Sequence, residues 1–327
     1  MKSVVVTGAS TGIGWGCVKV LAASGFRVFG SIRKPADAGR LSKAFGANFT
    51  PVVFDVTDEA AVAAGAKRVE AALQGATLAG LVNNAGVSVA GPLLYLKVEE
   101  FRRQIEVNLV GQLIVTQAFA PLLGAGPSRK GPPGRIVMIS SIGGKTGYPF
   151  MGAYNASKFA LEGFSESLRR ELMIFGVDVI VVAPGNVVTP IWDKASRVDL
   201  APFDSTNYAP ALARVKNFAI SNGRKGLPPE RIGEAVKTAL TVARPKTRYS
   251  LTPDPIQNFF GHHPAEAHGR CPHRAPAWAD ALARPISSAS GACGALRALT
   301  PRRSASALSP RSAPCGRPRR RKTGTGG

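Results

Sequence analysis

The stretch "SVVVTGASTGIGWGCVKVLA", residues 3–22, joins a short valine run to an apolar helix-like segment through a glycine-rich turn. Its glycines, Gly8, Gly12 and Gly14, have the spacing G-x3-G-x-G. Glycines let the chain turn sharply and let an anion approach the backbone, and a helix N-terminus offers that anion free N–H groups. The stretch therefore predicts a strand, a turn and a helix that together hold a pyrophosphate, as in a doubly wound sheet.

Six further strand-like runs follow along the chain: "RVFGSI", "FTPVVFDV", "LAGLVNNAG", "GRIVMISS", "VDVIVVAPG" and "RYSLT". Amphipathic segments alternate with them, at about 13–24, 36–46, 58–74, 98–123, 153–175 and 229–243. Several of the strands are continuous apolar runs, which is typical of parallel strands covered on both faces. The pattern predicts an α/β fold, a single Rossmann-type doubly wound domain with a seven-stranded parallel sheet over residues 1–260.

Bulk composition favours a soluble protein with a large core. The chain has 327 residues, of which 45% are hydrophobic, enough for one large domain and an appendage. The N-terminus opens directly on a strand, and no uninterrupted apolar run reaches the length that spans a membrane. Cys17 is the only one of four cysteines before residue 261, which suits a reducing compartment. We therefore expect a cytoplasmic protein without a membrane partner.

The composition changes abruptly near residue 261. Residues 261–327 hold 12 Lys and Arg against 2 Asp and Glu, with an excess of Ala, Pro, Ser and Gly. This segment is predicted to be a disordered, basic, low-complexity tail. Its abrupt bias resembles the translation of GC-rich DNA in a shifted reading frame, and a frameshifted C-terminus is our hypothesis for it.

Two other interpretations of the tail are weaker. The histidines and the cysteine within residues 262–273 have no second paired-ligand motif, and prolines oppose a compact zinc knuckle, so no metal is expected. The basic run "RPRRRK", residues 317–322, could contact phosphates. Because the tail has no interleaved aromatic residues, a nucleic-acid partner is not favoured.

The stretch "GAYNASKFALEGF", residues 152–164, places Tyr154 and Lys158 four residues apart in a helix-like run. Side chains at that spacing share one helix face. A free phenol has a pKa of about 10, and a nearby cation lowers it toward the pH at which proton transfer is efficient. The pair is therefore a candidate acid–base catalyst, and the alternative is that both residues merely decorate an exposed helix surface.

Several motifs in a fixed order resemble the classical short-chain dehydrogenase/reductase family over about residues 1–252. They are "TGASTGIG" at 7–14, "NNAG" at 83–86, "IEVNLVG" with Asn108, "ISSIGG" with Ser140 and Ser141, "YNASK" with Tyr154 and Lys158, and "APGNVVTP" at 183–190. The stretch "YNASKFALEGFSESLRREL" is especially similar to the hydroxysteroid and retinol dehydrogenase-like branch of that family.

The resemblance implies a catalytic set and a set of cofactor contacts. Tyr154 would exchange a proton with the substrate oxygen, and Lys158 would also hold the nicotinamide ribose. A serine thirteen residues before the tyrosine would hydrogen-bond the same oxygen, and this spacing assigns the role to Ser141 and not to Ser140. Asn108 would hold a water of the proton relay. The implied cofactor contacts are Gly8, Ser10, Thr11, Gly12, Ile13, Gly14, Arg33, Asp55, Val56, Asn84, Ala85, Gly86, Tyr154, Lys158, Pro184, Gly185, Val187 and Thr189.

The end of the second strand predicts which nicotinamide cofactor binds. Members that prefer NAD carry an acidic residue at the position of Ile32, and Arg33 and Lys34 follow it here. A guanidinium suits a 2′-phosphate, so we expect NADP(H) in preference to NAD(H). The basic residue that many NADP-dependent members carry in the glycine loop is absent, and Thr11 occupies that position. Alternatively, Arg33 and Lys34 are a solvated surface pair.

The long excursion at residues 190–229 is rich in aromatic and aliphatic side chains and is predicted to form a lid over the substrate. We expect an apolar secondary alcohol or ketone, steroid-, retinoid- or lipid-like. The resemblance also implies a homodimer formed through the helices after strands four and five. The expected function is an NADP(H)-dependent oxidoreductase with tyrosine acid–base catalysis, and the alternative is a redox sensor that binds NADP(H) without turnover.

Overall fold

The computed structural model describes residues 1–126 and 129–253. Within these residues the sheet has seven strands, all parallel, in the order β3-β2-β1-β4-β5-β6-β7. The strands are β1 Ser3–Val6, β2 Arg27–Ile32, β3 Phe49–Val53, β4 Gly80–Asn83, β5 Arg135–Ile139, β6 Asp178–Pro184 and β7 Arg248–Leu251. The predicted Rossmann-type sheet is confirmed: the inner strands β1, β4, β5 and β6 are almost entirely buried, whereas the edge strands β3 and β7 are partly exposed.

Helices cover the two faces of the sheet. They are α1 Gly12–Ala23, α2 Asp37–Phe45, α3 Glu59–Leu73, α4 Val98–Ile105, α5 Gly111–Phe119, α6 Gly152–Glu171, α7 Ile191–Ser196, α8 Ala209–Gly223 and α9 Pro229–Thr241. Alternate residues of β1 belong to different cores: Val4 and Val6 pack with α1, α2 and α9, whereas Val5 packs with α3, α5 and α6. This alternation follows from the period of two along a strand.

The strand order reverses between β1 and β4, since β2 and β3 lie to one side of β1 and β5 to β7 lie to the other. In doubly wound sheets, ligands bind in the crevice beyond the carboxyl ends of the strands at this switch point. The glycine loop after β1 and the segment that begins at Asn84 after β4 both lie there. The topology therefore brings two predicted motifs, 77 residues apart in sequence, to one place.

Residues 190–229 contain two helices, α7 and α8, that were not expected from the sequence. The segment is anchored on both sides: the indole nitrogen of Trp192 donates to the carbonyl of Val187 at 2.7 Å, and the Trp192 ring lies against Gly223. The described excursion is thus a folded helical cap instead of an irregular loop.

One segment of the described residues, Val98–Leu123, is long and apolar enough to cross a membrane by length and composition alone. The expectation concerned uninterrupted apolar runs, whereas this segment contains the charged residues Glu99, Glu100, Arg102, Arg103 and Glu106, so the expectation stays a prediction. The segment contains α4 and α5, and its Val115, Phe119 and Leu122 are buried in the core against the sheet. A core helix of a soluble domain meets the same criterion, so the finding is a weak indication of a membrane span.

Three expectations lie outside the described residues. They are the disordered tail at 261–327, its frameshift hypothesis and the absence of a metal site at residues 262–273. Among the residues that the structure does describe, no group of three or more His, Cys, Asp or Glu side chains is arranged to hold a metal ion.

Candidate functional site

The glycine loop after β1 is held against β2 and β4. Gly8 and Gly12 adopt φ angles of +66° and +59°, a conformation that favours glycine. The backbone N–H of Gly8 donates to the Ser31 hydroxyl of β2 at 3.0 Å. A Cβ added to Gly14 would lie 2.2 Å from the Gly8 carbonyl oxygen and 2.5 Å from the Asn84 amide nitrogen, so α1 approaches the loop as closely as a glycine allows.

A buried threonine, Thr7, connects the glycine loop to the "NNAG" segment. Its hydroxyl accepts from the backbone N–H groups of Asn84 and Ala85 at 2.9 and 3.0 Å. The Asn84 side chain in turn donates to the Thr7 carbonyl at 2.7 Å. Gln112 donates to the Ala85 carbonyl at 2.6 Å. These bonds fix the two loops at the switch point, and the sequence analysis did not single out Thr7 or Gln112.

The start of α1 fits the pyrophosphate of a dinucleotide. Thr11 precedes the helix in an extended conformation, no side chain of the described residues caps its first turn, and that turn carries no acidic residue. The first N–H groups therefore remain available to an anion. The methyl group of Thr189, from the segment after β6, would be 3.4 Å from a Cβ added at Gly12. The loop is thus flanked by two predicted cofactor-binding segments, while Ser10 is half-buried and Ile13 packs against the core.

Arg33 and a second arginine lie at the adenosine end of the predicted cofactor site. Arg33 pairs with Asp55 at 3.8 Å, and the Arg33 side chain is largely exposed. Arg40 of α2 donates to the carbonyl of Ser10 in the glycine loop at 3.1 Å and to Asp37 at 3.0 Å. Arg40 therefore supplies a positive charge at the loop in which Thr11 had been noted in place of a basic residue. Sequence reasoning missed Arg40, because only the fold places α2 next to the loop.

Asp55 and Val56 follow β3. One oxygen of Asp55 accepts from the backbone and the hydroxyl of Thr57 at 3.1 and 2.9 Å, while Val56 is buried against Gly111. Capping of α3 belongs to Asp58, whose carboxylate accepts from the N–H of Ala61 at 2.9 Å. Asp55 is thus left outside the cap of α3.

Asn108 lies in a π-helical turn, Glu106–Val110, between α4 and α5. Its side chain is buried; the amide oxygen accepts from the N–H of Val87 at 2.8 Å, and the amide nitrogen donates to the Val87 carbonyl at 3.0 Å and to the Ser157 hydroxyl at 3.1 Å. The side chain thus ties α6 and the loop after β4 to the π turn. Such turns are common at functional sites, and the water that Asn108 was predicted to hold remains a prediction.

Ser141 and Tyr154 meet at the carboxyl end of β5. The Ser141 hydroxyl lies near the Tyr154 side chain and acts to lower its pKa, and a Cβ added at Gly143 would lie 3.4 Å from both the Ser141 hydroxyl and the Tyr154 ring. The Ser141 hydroxyl also accepts from the N–H of Gly143 at 3.0 Å. The neighbouring Ser140 hydroxyl is buried and has no hydrogen-bond partner among the described residues. The structure therefore brings Ser141, and not Ser140, to the tyrosine.

Lys158 is buried one turn after Tyr154 in α6. Its ammonium group donates to the Ile139 carbonyl at 2.8 Å and lies 5.9 Å from the centre of the Tyr154 ring. Burial lowers the pKa of Lys158 to about 8, although the nearby Glu162 carboxylate acts to raise it. Burial raises the pKa of Tyr154 and outweighs the lowering effect of the Ser141 hydroxyl. The lowering of that pKa by the charge of Lys158 stays a prediction.

The segment after β6 runs back toward the glycine loop. Pro184 and Val187 are buried, and the backbone N–H of Gly185 donates to the carbonyl of Leu251 in β7 at 2.7 Å. The N–H of Val188 donates to the Leu227 carbonyl at 2.9 Å. Both ends of the lid segment are therefore joined to each other beside the predicted nicotinamide position.

A cluster of aromatic side chains joins the lid segment to the loops that follow β4 and β5. Tyr208, which precedes α8, makes edge-on ring contacts with Tyr95 and Phe150 at centroid distances of 5.9 and 5.8 Å. Phe150 adopts a φ of +62°, which is strained for a bulky residue. Tyr148 lies close enough to Tyr154 for their charges to interact, and burial together with that interaction raises the pKa of Tyr148. Tyr208 lies within the lid segment that the sequence analysis predicted, and that analysis did not identify the other members of this cluster.

The fold and this constellation define the class of protein. The chain matches the family model for short chain dehydrogenases over residues 2–199, and it belongs to that family.

Three similar proteins are informative. Over 253 residues the chain is 37% identical to an NADPH-dependent 3-dehydrocapnine reductase from Ornithobacterium rhinotracheale, covering 77% of this chain and 89% of the relative. It is 34% identical over 264 residues to human retinol dehydrogenase 5, covering 76% and 79% respectively. A solved structure of a short-chain dehydrogenase from Streptomyces avermitilis is 29% identical, with a TM-score of 0.65 over 80% of this chain and 91% of that one. The chain is therefore an oxidoreductase of the short-chain dehydrogenase family.

Proposed function

We propose that the protein is an NADP(H)-dependent oxidoreductase that interconverts an apolar secondary alcohol and its ketone. The observation that carries this proposal is the contact of Ser141 with Tyr154 one helical turn from the buried Lys158. These three groups meet at the carboxyl end of the sheet, beside a loop that fits a dinucleotide. Lys158 is buried there, so the pair does not belong to an exposed helix surface.

Tyr154, Ser141 and Lys158 each have a separate role in the proposed reaction. A nicotinamide cofactor, when bound, would supply the hydride that reduces the carbonyl carbon of the ketone. The Tyr154 hydroxyl donates its proton to the carbonyl oxygen, which yields the alcohol and leaves a phenolate. The Ser141 hydroxyl donates a hydrogen bond to the same oxygen and stabilises the negative charge that develops there. The Lys158 ammonium stabilises the phenolate by its charge, and oxidation of the alcohol reverses each transfer.

The preference for NADP(H) is supported by two guanidinium groups. Arg33 follows β2, and Arg40 contacts the glycine loop through Ser10. Ile32 occupies the position at which an acid would bind the ribose hydroxyls, and it is buried in the core. A relative with 37% identity is named as NADPH-dependent.

The apolar substrate is supported by exposed apolar side chains on segments that follow strands of the sheet. Leu93, Leu94 and Tyr95 are exposed after β4, and Ile191 is exposed after β6. Apolar side chains exposed beyond the carboxyl ends of the strands suit a hydrophobic molecule better than a sugar or a hydroxy acid. One relative is named for retinol, which is an alcohol of this kind.

The first test is a fluorescence titration of the purified protein with NADPH and NADH, followed by a panel of apolar ketones. We expect turnover with at least one ketone, and Tyr154→Phe should lower kcat by about 10²–10⁴-fold while the Kd for NADPH stays within twofold. Tyr148→Phe is the matched control, because it removes a neighbouring phenol with no assigned proton transfer. Equal turnover of Tyr154→Phe and the wild type would refute the role of Tyr154.

Binding of NADPH without turnover on any ketone would instead favour the redox sensor. The proposal also includes a homodimer through α5 and α6. It includes a cytoplasmic location as well, because Cys17 is a free thiol among the described residues, which suits a reducing compartment. Cell fractionation with an antibody against the protein tests the location.

A further inference from the structure

A buried ion pair lies one helical turn beyond the catalytic lysine. The two carboxylate oxygens of Glu162 in α6 lie 3.2 and 3.3 Å from Nε and Nη2 of Arg248 in β7. The side chains of Glu162 and Arg248 are only 8% and 19% exposed. The two-point contact joins the catalytic helix to the last described strand, and charges this deep are costly to bury unless they are paired.

The surroundings of this ion pair leave little free space. A Cβ added to Gly144, in the turn after β5, would lie 3.0 Å from the Glu162 side chain, 3.0 Å from the Lys158 carbonyl oxygen and 2.8 Å from the Ser140 hydroxyl. Arg248 also donates to the Ser250 hydroxyl in β7. The carboxylate is therefore held between the backbone of the catalytic lysine, the end of β5 and the edge strand.

Glu162 and Lys158 are four residues apart in α6 and so share one face of the helix. Among the described residues, Lys158 lies near the Tyr154 ring on α6, Glu162 pairs with Arg248 of β7, and Tyr148 from the loop before α6 interacts with Tyr154. Burial disfavours the ammonium form of Lys158, and the Glu162 charge opposes that effect. The proposed function requires the charged lysine, so the sign of the Glu162 charge matters for the reaction.

We propose that Glu162 and Arg248 are positioning residues for the catalytic lysine: the carboxylate keeps Lys158 in its ammonium form, and the guanidinium holds the carboxylate and ties α6 to β7. The inference rests on the proposed function, because both residues act through Lys158. The alternative is an ion pair that only joins two elements of the fold.

Ketone reduction as a function of pH separates these two roles. Glu162→Gln removes a negative charge, so the alkaline limb of kcat/KM should move to lower pH by on the order of one pH unit. Arg248→Gln leaves that carboxylate uncompensated, so the limb should move to higher pH. Glu166→Gln is the matched control, because Glu166 lies one turn further along α6 and pairs with Arg170 on the exposed surface; it should leave the limb in place.

A second measurement needs no substrate and therefore survives a failure of the proposed function. The Lys158 pKa is lower in the folded protein than the unfolded value of about 10.4, so the unfolded chain binds more protons between these two values and stability rises with pH through that window. In the wild type the free energy of unfolding should begin to rise at about pH 8, the pKa of Lys158 in the folded protein. In Glu162→Gln this rise should begin at lower pH, and in Glu166→Gln it should begin at the same pH as in the wild type. Urea unfolding of the full chain between pH 6.5 and 10.5 measures it.

If Glu162→Gln is too unstable to study, the double variant Glu162→Gln/Arg248→Gln removes both buried charges and should fold better. In this double variant the alkaline limb of kcat/KM, and the pH range over which stability rises, should still lie at lower pH than in the wild type. Opposite shifts for the two single variants support the proposal. Variants of Glu162 and Arg248 that lose stability equally at every pH, with no shift of either curve relative to Glu166→Gln, would overturn it and leave only the structural ion pair.

Discussion

Arg40 supplies the positive charge that the glycine loop lacks in its own sequence, and it thereby strengthens the expectation of NADP(H). The glycine loop itself lacks a basic residue, but the Arg40 guanidinium contacts the Ser10 carbonyl from α2. Its partner Asp37 holds it in place without burying it, since the Arg40 side chain is 52% exposed. An exposed guanidinium that is already oriented toward the loop can contact a phosphate with little loss of side-chain entropy.

Replacing either arginine should therefore weaken NADPH selectively. Arg33→Gln and Arg40→Gln should each raise the Kd for NADPH by about tenfold or more, because each loses a charge-assisted hydrogen bond, while the Kd for NADH stays within twofold. Fluorescence titration measures both, and competition by 2′,5′-ADP reports the phosphate contact directly. Arg102→Gln, an exposed arginine of α4, is the control. A proportionate loss of NADPH and NADH affinity would mean that these arginines do not read the 2′-phosphate.

The sequence predicted the catalytic residues far better than their supporting residues. Tyr154, Lys158, Ser141 and Asn108 belong to motifs with fixed spacing, so they could be found without a structure. Arg40 and Glu162 could not, because helical periodicity shows which face of a helix is polar but not what that face contacts. The loop carbonyl that Arg40 reaches lies 30 residues earlier in the chain.

At the scale of elements, the strands were predictable because parallel strands buried on both faces form unbroken apolar runs. The π turn at Glu106–Val110 was not, since a single wide turn leaves the composition of the surrounding helix unchanged. The helices α7 and α8 were missed for another reason. Both expose apolar side chains, Ile191 and Phe218 among them, so their pattern is not that of a helix with one buried stripe.

The lid is held by aromatic contacts that should control substrate affinity. Tyr208 before α8 meets Tyr95 and Phe150 edge-on, and the Phe150 carbonyl accepts from the N–H of Gly91 at 2.8 Å. The positive φ of Phe150 costs about 1–3 kcal/mol. The surrounding contacts hold this conformation, which presents the Phe150 ring to the lid.

Tyr208→Ala should loosen the lid without disturbing the cofactor. The loss of two aromatic contacts, each about 0.5–1.5 kcal/mol, should raise KM for an apolar ketone by roughly tenfold and leave the Kd for NADPH unchanged. Phe218→Ala, an exposed side chain on α8, is the control and should have little effect. Steady-state kinetics over a ketone panel makes the comparison. An unchanged KM for every ketone would show that this cluster does not contribute to the substrate site.

At the scale of the whole molecule, the proposed homodimer would cover apolar side chains that the single chain leaves in water. Leu113 on α5 and Phe159 on α6 are 39% and 46% exposed. Exposed apolar residues on neighbouring helices favour an interface when they form one patch. The sequence analysis named these two helices through family resemblance, but their exposure could be measured only from the fold.

Leu113→Glu/Phe159→Glu should therefore convert a dimer to a monomer, because the charged side chains would be buried without partners in the interface. Size-exclusion chromatography with light scattering gives the mass of each form. Leu94→Glu, at a 79% exposed position near the lid, is the control and should keep the dimer. A wild-type protein that is monomeric at micromolar concentration would refute the proposed interface at once.

The contact between α6 and β7 also has a consequence for protein synthesis. During translation Tyr154 and Lys158 are synthesised about 90 residues before Arg248. The nascent chain can therefore form the catalytic helix before Arg248, the partner of Glu162, is present. Among the described residues β7 is the last strand along the chain, and it lies at the edge of the sheet beside β6. A chain that stalls before Arg248 would therefore carry every residue of the catalytic motif with an unpaired carboxylate beside its lysine, and docking of the final strand would complete the site.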